Sequence, residues 1–260
     1  MPVYYFKRIG SIGISILNDR TANKTLNTNE FNISTAHFLK VSKYSYLHLG
    51  FSFALVNKSI SYDDLTFPEQ FDNSIGAFNP NLDNKEQFDK FSLTYLDLSW
   101  GAIWSRFSKN IDSQIGVAMF HYNSPKIKFM PDNDKILPKY QFHAYFNKKI
   151  SQNLLLKPKF LFTYTNKANE MLTGSEISMI FNENLKNLYA GAYIRTGIDR
   201  NTDAIIFITG LTYNNFIFNF SYDYPVNSTF LAKDLTFEIS IFYKMPKLNP
   251  LKKSIQCEIL

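Results

Sequence analysis

The sequence predicts an all-β protein, an antiparallel up-and-down transmembrane β-barrel of which about twelve strands are present. Three observations lead to this prediction. Apolar and polar side chains alternate at period two along most of the chain, aromatic residues make up 17% of it, and no run of about 18 apolar residues that would predict a membrane-spanning helix occurs. Because successive side chains of a strand point to opposite faces, such strands suit a wall between lipid and a polar lumen.

The alternation is clearest over residues 216–244, where two strands are separated by a loop. One face of this pair is entirely aromatic or aliphatic, while the facing positions are mostly polar. The apolar face consists of Phe216, Phe218, Phe220, Tyr222, Tyr224, Leu235, Phe237, Ile239, Ile241 and Tyr243. A face this rich in aromatic residues is heavy for a soluble sheet and suits contact with lipid.

Ten further strands precede this pair with similar alternation, which is imperfect over residues 31–41. They are predicted at residues 9–18, 31–41, 47–55, 95–107, 114–122, 140–147, 154–165, 171–182, 188–197 and 202–213. A length of about ten residues spans the apolar band of a tilted transmembrane strand. Pro158 falls on the apolar face of the strand at 154–165, so a bulge or a strand start is expected there.

Residues 57–90 form the longest irregular stretch, which contains two prolines, many asparagines and many acidic residues. Loops of this length are usually functional or disordered, and the long loops of outer-membrane barrels lie on the outer face. The chain shows no linker or repeat, so a single domain over 1–260 is predicted, with a tail at 245–260. Because the first residues lack the features of a secretory signal, we expect this sequence to be a mature fragment of an exported barrel or to begin at an internal start.

Six charged residues fall on the polar side of the strands and form a predicted lumen set. They are Asp97, Lys157, Lys159, Arg195, Asp223 and Glu238. Two interpretations stay open: a gated or substrate-lined pore, or charges that pair with one another inside a narrow barrel. Arg195 is a candidate partner for Asp223 or Glu238, which lie on strands joined by one loop.

Five aromatic residues are candidates for the girdles at the two membrane surfaces, with ordinary lipid-facing packing as the alternative. They are Trp100, Trp104, Tyr222, Tyr224 and Tyr243.

Other chemistries find little support. The net charge of +6 is spread over turns and lumen positions, so no nucleic-acid partner is expected. Cys257 is the single cysteine, and His37, His48, His121 and His143 show no metal-ligand spacing. No serine lies in Gly-x-Ser-x-Gly, and no glycine-rich phosphate loop occurs. We therefore predict no enzyme, no cofactor and no metal site.

An ordered series of short motifs extends from residue 47 to residue 243. It comprises Tyr95-Leu96-Asp97-Leu98 with Gly101, Phe120-His121-Tyr122-Asn123-Ser124-Pro125, Leu137-Pro138 with Tyr140 and His143, Leu156-Lys157-Pro158, Gly191 with Tyr193-Ile194-Arg195, Gly210, Ser221-Tyr222-Asp223, Ser228 and Glu238. In this order and spacing the motifs resemble the PorP/SprF outer-membrane proteins of the type IX secretion system of Bacteroidetes. Where the family has Gly and then His-Glu before its last strand, this chain has Lys233, Asp234 and Phe237-Glu238. The resemblance implies that the family's signal peptide and first strands are absent from this sequence, so the family barrel is expected to contain more strands than this chain.

The resemblance implies a non-enzymatic component of the cell outer membrane, which anchors the secretion machinery and helps the export or surface attachment of cargo such as gliding adhesins. The expected partners are outer-membrane lipid, the periplasmic core proteins of the secretion system and secreted cargo. Two alternatives stay open: an outer-membrane channel for small or hydrophobic solutes, and a soluble β-rich binding protein. In the soluble protein the apolar faces would form a core, so the direction in which they point separates the classes.

Overall fold

A computed structural model describes residues 3–6, 10–21, 26–60, 70–72, 76–79, 82, 92–127, 134–166, 168–181, 185–198, 202–226 and 236–245. These residues are almost all in strands, and none of them forms an α-helix. No helix long and apolar enough to cross a membrane occurs among them. The prediction of an all-β, up-and-down fold is confirmed.

Thirteen strands of the described residues form one sheet in which each strand neighbours the strands before and after it in this series. They are β1 (Val3–Phe6), β2 (Gly10–Thr21), β3 (Leu26–Lys40), β4 (Ser45–Ile60), β7 (Ser92–Arg106), β8 (Ile111–Phe120), β11 (Lys139–Lys149), β12 (Leu154–Thr165), β13 (Ala168–Ile180), β14 (Leu185–Thr196), β15 (Ala204–Tyr213), β16 (Phe216–Pro225) and β17 (Thr236–Tyr243). Two short hairpins lie in the connections: β5 (Phe71–Asp72) with β6 (Ala77–Phe78), and β9 (Lys126–Ile127) with β10 (Asp134–Lys135). All twelve predicted strands are present, and β1 is additional.

Contacts divide the chain into two compact units, which are described separately. Unit 1 consists of Met1–Phe107, Gln114–His143 and Thr163–Asn169. Unit 2 consists of Ser108–Ser113, Ala144–Phe162 and Glu170–Leu260.

In unit 1 the apolar face of the sheet is the exposed one. Phe51, Phe53 and Leu55 of β4 are 53%, 50% and 53% exposed, whereas Ala54 and Val56 between and beside them are 5% and 3% exposed. The neighbouring strands continue the apolar face, since Phe53 stands opposite an isoleucine of β3 and a leucine of β7. The largest apolar side chains of this sheet therefore lie on its exposed face, whereas in a soluble β-sandwich they would lie on the buried face.

In unit 2, too, the apolar face of the sheet is exposed and the polar face is buried. Ile177 and Met179 of β13 are 52% and 50% exposed, while Glu176 and Ser178 on the other face of the strand are 3% and 0% exposed. The aromatic residues Phe216, Phe218 and Phe220 of β16 are exposed, and the polar residues that alternate with them are half-buried. We call the two sides of the sheet the apolar face and the polar face.

Connections of different length leave the two ends of the strands. At one end, here the short-turn end, the connections are brief, such as 41–44, 107–110, 150–153 and 214–215. At the other end, here the long-loop end, lie the two longest connections, 61–91 and 121–138. This asymmetry is typical of outer-membrane proteins, which have short periplasmic turns and longer outer loops.

Two expectations, one about a connection and one about a strand start, need adjustment. The loop expected at 57–90 begins only after Ile60, because residues 57–59 still pair with β7, and it contains the β5–β6 hairpin. Its residues 61–69, 73–75, 80–81 and 83–91 lie outside the described part, as do Ser228, Lys233, Asp234 and the tail after Met245. β12 runs from Leu154 through Pro158, so Pro158 is not a strand start.

Candidate functional site

The most buried charged group described in unit 2 is Glu176 of β13, on the polar face. Its carboxylate accepts hydrogen bonds from the Tyr193 hydroxyl of β14 and from Lys159 Nζ of β12, the latter at 2.5 Å. The Glu176 side chain is 4% exposed and that of Lys159 is 34% exposed. Lys159 Nζ also lies 5.6 Å from the ring centroid of Tyr145 on β11. One ion pair thus connects four strands of the polar face, and its charges are satisfied within the protein.

Two glycines give these large side chains their space. In the β13–β14 ladder Gly174 stands opposite Tyr193, and Gly191 stands opposite Glu176. A Cβ atom at Gly191 would lie 2.7 Å from Cγ of Glu176, and one at Gly174 would lie 2.6 Å from Cδ1 of Tyr193. Each side chain therefore folds over the bare backbone of the opposite strand, and only glycine permits that approach.

A second cross-strand bridge lies beside the first. Tyr189 of β14, Gly210 of β15 and Asn219 of β16 occupy one row of the ladder. The Tyr189 hydroxyl donates to Oδ1 of Asn219, passing over Gly210, where a Cβ would lie 2.5 Å from the Tyr189 ring carbon that carries the hydroxyl. Lys157 Nζ lies 5.8 Å from the Tyr189 ring centroid, a cation–π distance.

Arg195 and Asp223 form a third link on the same face. Arg195 Nη1 lies 2.9 Å from Oδ2 of Asp223, and the two side chains are 34% and 24% exposed. Ala204 of β15 stands opposite Arg195 in the ladder, and its methyl group leaves the guanidinium a path to β16. The geometry therefore selects Asp223, of the two predicted candidates, as the partner of Arg195.

Glu238 lies apart from these pairs. It stands opposite Ser221 on β17, an exposed strand, on the polar face. Among the described residues it has no cation within 4.0 Å. The structure thus brings Arg195 and Asp223 together but not Glu238.

Asp97, the predicted lumen residue of unit 1, contacts a histidine. Oδ2 of Asp97 on β7 lies 2.7 Å from Nδ1 of His121, and the two side chains are 13% and 30% exposed. His121 has a backbone φ of 56° and directly follows β8, which ends at Phe120. The other carboxylate oxygen, Oδ1, has no hydrogen-bond partner within the described ranges. Sequence spacing alone did not connect this carboxylate to a histidine.

The turn that follows His121 caps the edge of β7. Asn123 accepts from the Leu98 N–H at 3.0 Å and donates to the Leu96 carbonyl at 2.6 Å, and the Tyr122 N–H donates to the Leu98 carbonyl at 2.8 Å. The amide side chain thus makes the two bonds that a further strand residue would make. β8 stops at Phe120, whereas its neighbour β7 extends further in the same direction, as far as Ser92. The exposed backbone groups of β7 therefore need partners, and the side chain of Asn123 supplies them.

The five candidate girdle residues lie on the apolar face. Trp100, Trp104, Tyr224 and Tyr243 are exposed, and Tyr222 is half-buried. Tyr243 and Phe216 pack with ring centroids 4.9 Å apart. Their placement at a membrane surface stays a prediction.

Among the described residues, no group of three or more histidine, cysteine or acidic side chains is placed to hold a metal ion. His143 packs against Gly116 of β8, and no hydrogen-bond partner for its Nε2 is found in the described ranges.

Glu176, Tyr193, Tyr189 and Asn219 were not among the predicted site residues. Alternation along β13, β14 and β16 assigns them to the polar face, and the glycines in the facing strands are a further signal. That second signal requires the strand register, which local alternation does not supply.

The comparison with protein families agrees with this architecture. The family model described as type IX secretion system membrane protein PorP/SprF matches residues 3–243. No curated protein matches the chain. The description names a membrane protein, and the antiparallel all-β fold fits the predicted location in the outer membrane. The chain belongs to the PorP/SprF family of type IX secretion system membrane proteins.

Proposed function

We propose that this protein is a non-enzymatic outer-membrane component that anchors the type IX secretion machinery and helps the export or surface attachment of cargo. The observation that carries the proposal, together with family membership, is the reversal of the sheet. Phe51, Phe53 and Leu55 are half exposed while Glu176 and Ser178 are buried. Contact with lipid removes the apolar side chains of such strands from water and so stabilises them. The polar groups on their other face form hydrogen bonds and ion pairs with one another.

The polar face of unit 2 favours the role of a structural wall and does not favour that of an open solute channel. Its charges at Lys159, Glu176, Arg195 and Asp223 are paired across strands. A transport path for small solutes would instead hold charges in contact with water. In planar bilayers we therefore expect no stable conductance from the purified protein, and sustained open-channel currents would favour the channel alternative.

The connection between β4 and β7 is the proposed docking surface for partner or cargo proteins. Residues 61–91 contain seven acidic residues and two lysines. The β5–β6 hairpin within it packs Phe71 against Phe78 with ring centroids 5.5 Å apart, and the two rings are 42% and 52% exposed. Exposed aromatic side chains amid polar residues are typical of protein-binding surfaces.

A complementation experiment tests the proposal. Cells that lack this protein are complemented with the wild type, with Phe71→Ser/Phe78→Ser, or with Tyr44→Ser as a control. Tyr44 is an equally exposed aromatic residue, at 54%, in a short turn at the other end of unit 1. We expect wild type and Tyr44→Ser to restore surface cargo and co-purification of the periplasmic core proteins, and the double variant to lose both.

Normal cargo secretion in cells without the protein would contradict the proposed function. Normal secretion and co-purification with the double variant would reject only the hairpin as the docking surface.

A further inference from the structure

At the long-loop end of unit 1, polar side chains continue the outward side of the sheet beyond its apolar residues. The last apolar row crosses β2, β3, β4 and β7, and its exposed members are Ile16, Phe31, Leu55 and Leu96. The next row on the same four strands is Asn18, Asn29, Asn57 and Thr94. The row after that is Arg20, Asn27, Ser59 and Ser92. We call these eight polar residues the amide belt.

Hydrogen bonds between neighbouring strands hold the side chains of the amide belt in place. Asn18 Nδ2 donates to Oδ1 of Asn29 at 2.5 Å and to Oδ1 of Asn27 at 3.2 Å. Asn57 Nδ2 donates to Oγ1 of Thr94 at 2.9 Å. Within the described ranges, Nδ2 of Asn27, Nδ2 of Asn29 and Oδ1 of Asn57 make no hydrogen bond. The belt therefore presents donors and acceptors to the outside in fixed positions.

Arg20 is the one charged residue among these eight, and its side chain is exposed. No acidic side chain of the described residues lies within 4.0 Å of it, because the ion pairs found there join other side chains. The nearest acids along its own strand and the next, Asp19 and Glu30, alternate onto the polar face. A guanidinium placed in this way suits a phosphate group from outside the chain.

The chemistry of the belt fits a sugar headgroup. Sugar hydroxyls both donate and accept hydrogen bonds, as the amides and hydroxyls of the belt do. The amide row borders the apolar row directly, so a lipid whose chains lie on Phe31 and Leu55 places its headgroup on Asn29 and Asn57. In outer-membrane barrels the end with the longer loops faces the outside. The outer leaflet there is built of glycolipids with phosphorylated sugar headgroups.

We propose that the amide belt binds the phosphorylated sugar headgroup of an outer-leaflet glycolipid. Asn18, Asn29 and Asn57 hydrogen-bond to sugar hydroxyls, and Arg20 pairs with a phosphate. Continuity with the lipid-facing apolar surface and charge complementarity at Arg20 support this occupant over a protein. The inference rests on the proposed contact of the apolar face with lipid and goes beyond it by assigning the headgroup.

Native mass spectrometry of the full chain tests the proposal. The protein is purified in detergent and mixed with equal amounts of lipid A and phosphatidylglycerol, or of dephosphorylated lipid A and phosphatidylglycerol. The belt variant is Asn18→Leu/Asn29→Leu/Asn57→Leu. The matched control, Asn110→Leu/Asn153→Leu/Asn215→Leu, makes the same change at three exposed asparagines in the short turns. Heat-modifiable migration on gels establishes that each variant is folded.

A single substitution, Arg20→Gln, tests the phosphate contact and keeps the proposal testable if the triple variant does not fold. It should weaken retention of lipid A and leave retention of dephosphorylated lipid A unchanged. Both lipids bring acyl chains to the apolar face, so the change in their ratio between wild type and variant reports on the headgroup.

We expect the wild type and the control to retain both forms of lipid A in preference to phosphatidylglycerol. The belt variant should lose that preference by roughly tenfold, because several hydrogen bonds to the headgroup are removed. Equal preference in belt variant and wild type, or an equal loss in the control, would overturn the proposal. So would retention of lipid A that is the same in Arg20→Gln as in the wild type.

Discussion

Tyr193 of β14 donates a hydrogen bond to Glu176 of β13, and each of the two side chains folds over a glycine of the other's strand. The pair joins the most buried carboxylate described to a phenol that is 6% exposed, and Lys159 supplies the compensating charge. A buried ion pair of this kind fixes register, because a shift by one residue would place the carboxylate on the apolar face.

Replacing Glu176 with alanine is expected to destabilise the protein by about 1–3 kcal/mol, because the Tyr193 hydroxyl and the Lys159 ammonium then lack their acceptor. Urea unfolding in vesicles, followed by tryptophan fluorescence, measures the loss. Tyr193→Phe keeps the ring over Gly174 and removes only one hydrogen bond, so its cost should be smaller. Equal stability of Glu176→Ala and wild type would contradict the role assigned to this carboxylate.

Gly210→Ala should destabilise the protein by about 1–3 kcal/mol, since the new methyl group would collide with Tyr189 and with the Phe218 carbonyl oxygen at 2.7 Å. Gly50→Ala is the matched control, because a Cβ at Gly50 would have its nearest neighbour at 3.8 Å. Unfolding of the two variants under the same conditions gives the comparison. The close approach at Gly210 is refuted if both substitutions have the same effect.

Arg195 and Asp223 should show a coupling free energy of roughly 1 kcal/mol, reduced from that of a fully buried pair because both side chains are partly exposed. Arg195→Asp and Asp223→Arg should each impair assembly, and the double swap should recover part of the loss. A thermodynamic cycle over the three variants measures the coupling. Additive effects, or normal assembly of Arg195→Asp, would count against the pair.

Asn123→Ala should speed hydrogen exchange of the Leu98 amide by roughly fivefold, because a hydrogen bond worth about 1 kcal/mol is removed. Tyr122→Ala serves as control, since the bond from Tyr122 to Leu98 uses the backbone N–H and survives the substitution. Exchange followed by mass spectrometry on peptides covering β7 reports the rate. Equal protection of Leu98 in both variants would show that the amide does not cap this edge.

Period-two alternation predicted every strand of the second half of the chain, because each of those strands presents one apolar and one polar face. β16 illustrates the result: Phe216, Phe218 and Phe220 are exposed, whereas Asn219 and Ser221 are half-buried. Strand ends were predicted less well, since β4 continues past its apolar residues to Ile60 through polar cross-strand contacts such as that of Asn57 with Thr94. Alternation does not detect such an extension.

The side chains that pair across strands could not be predicted from the sequence. Glu176 meets Tyr193, and Asp97 meets His121, only because the ladder sets one register among several that alternation permits.

The central claim is that the apolar face of the sheet meets lipid and the polar face does not. Single cysteines at residues 51–55 of β4, in a Cys257→Ser background and in phospholipid vesicles, carry spin labels whose collisions with oxygen and with a water-soluble nickel complex are measured. We expect oxygen accessibility to be high at Phe51, Phe53 and Leu55 and low at Ser52 and Ala54, with a period of two. The reverse pattern, with oxygen favouring Ser52 and Ala54, would contradict the account.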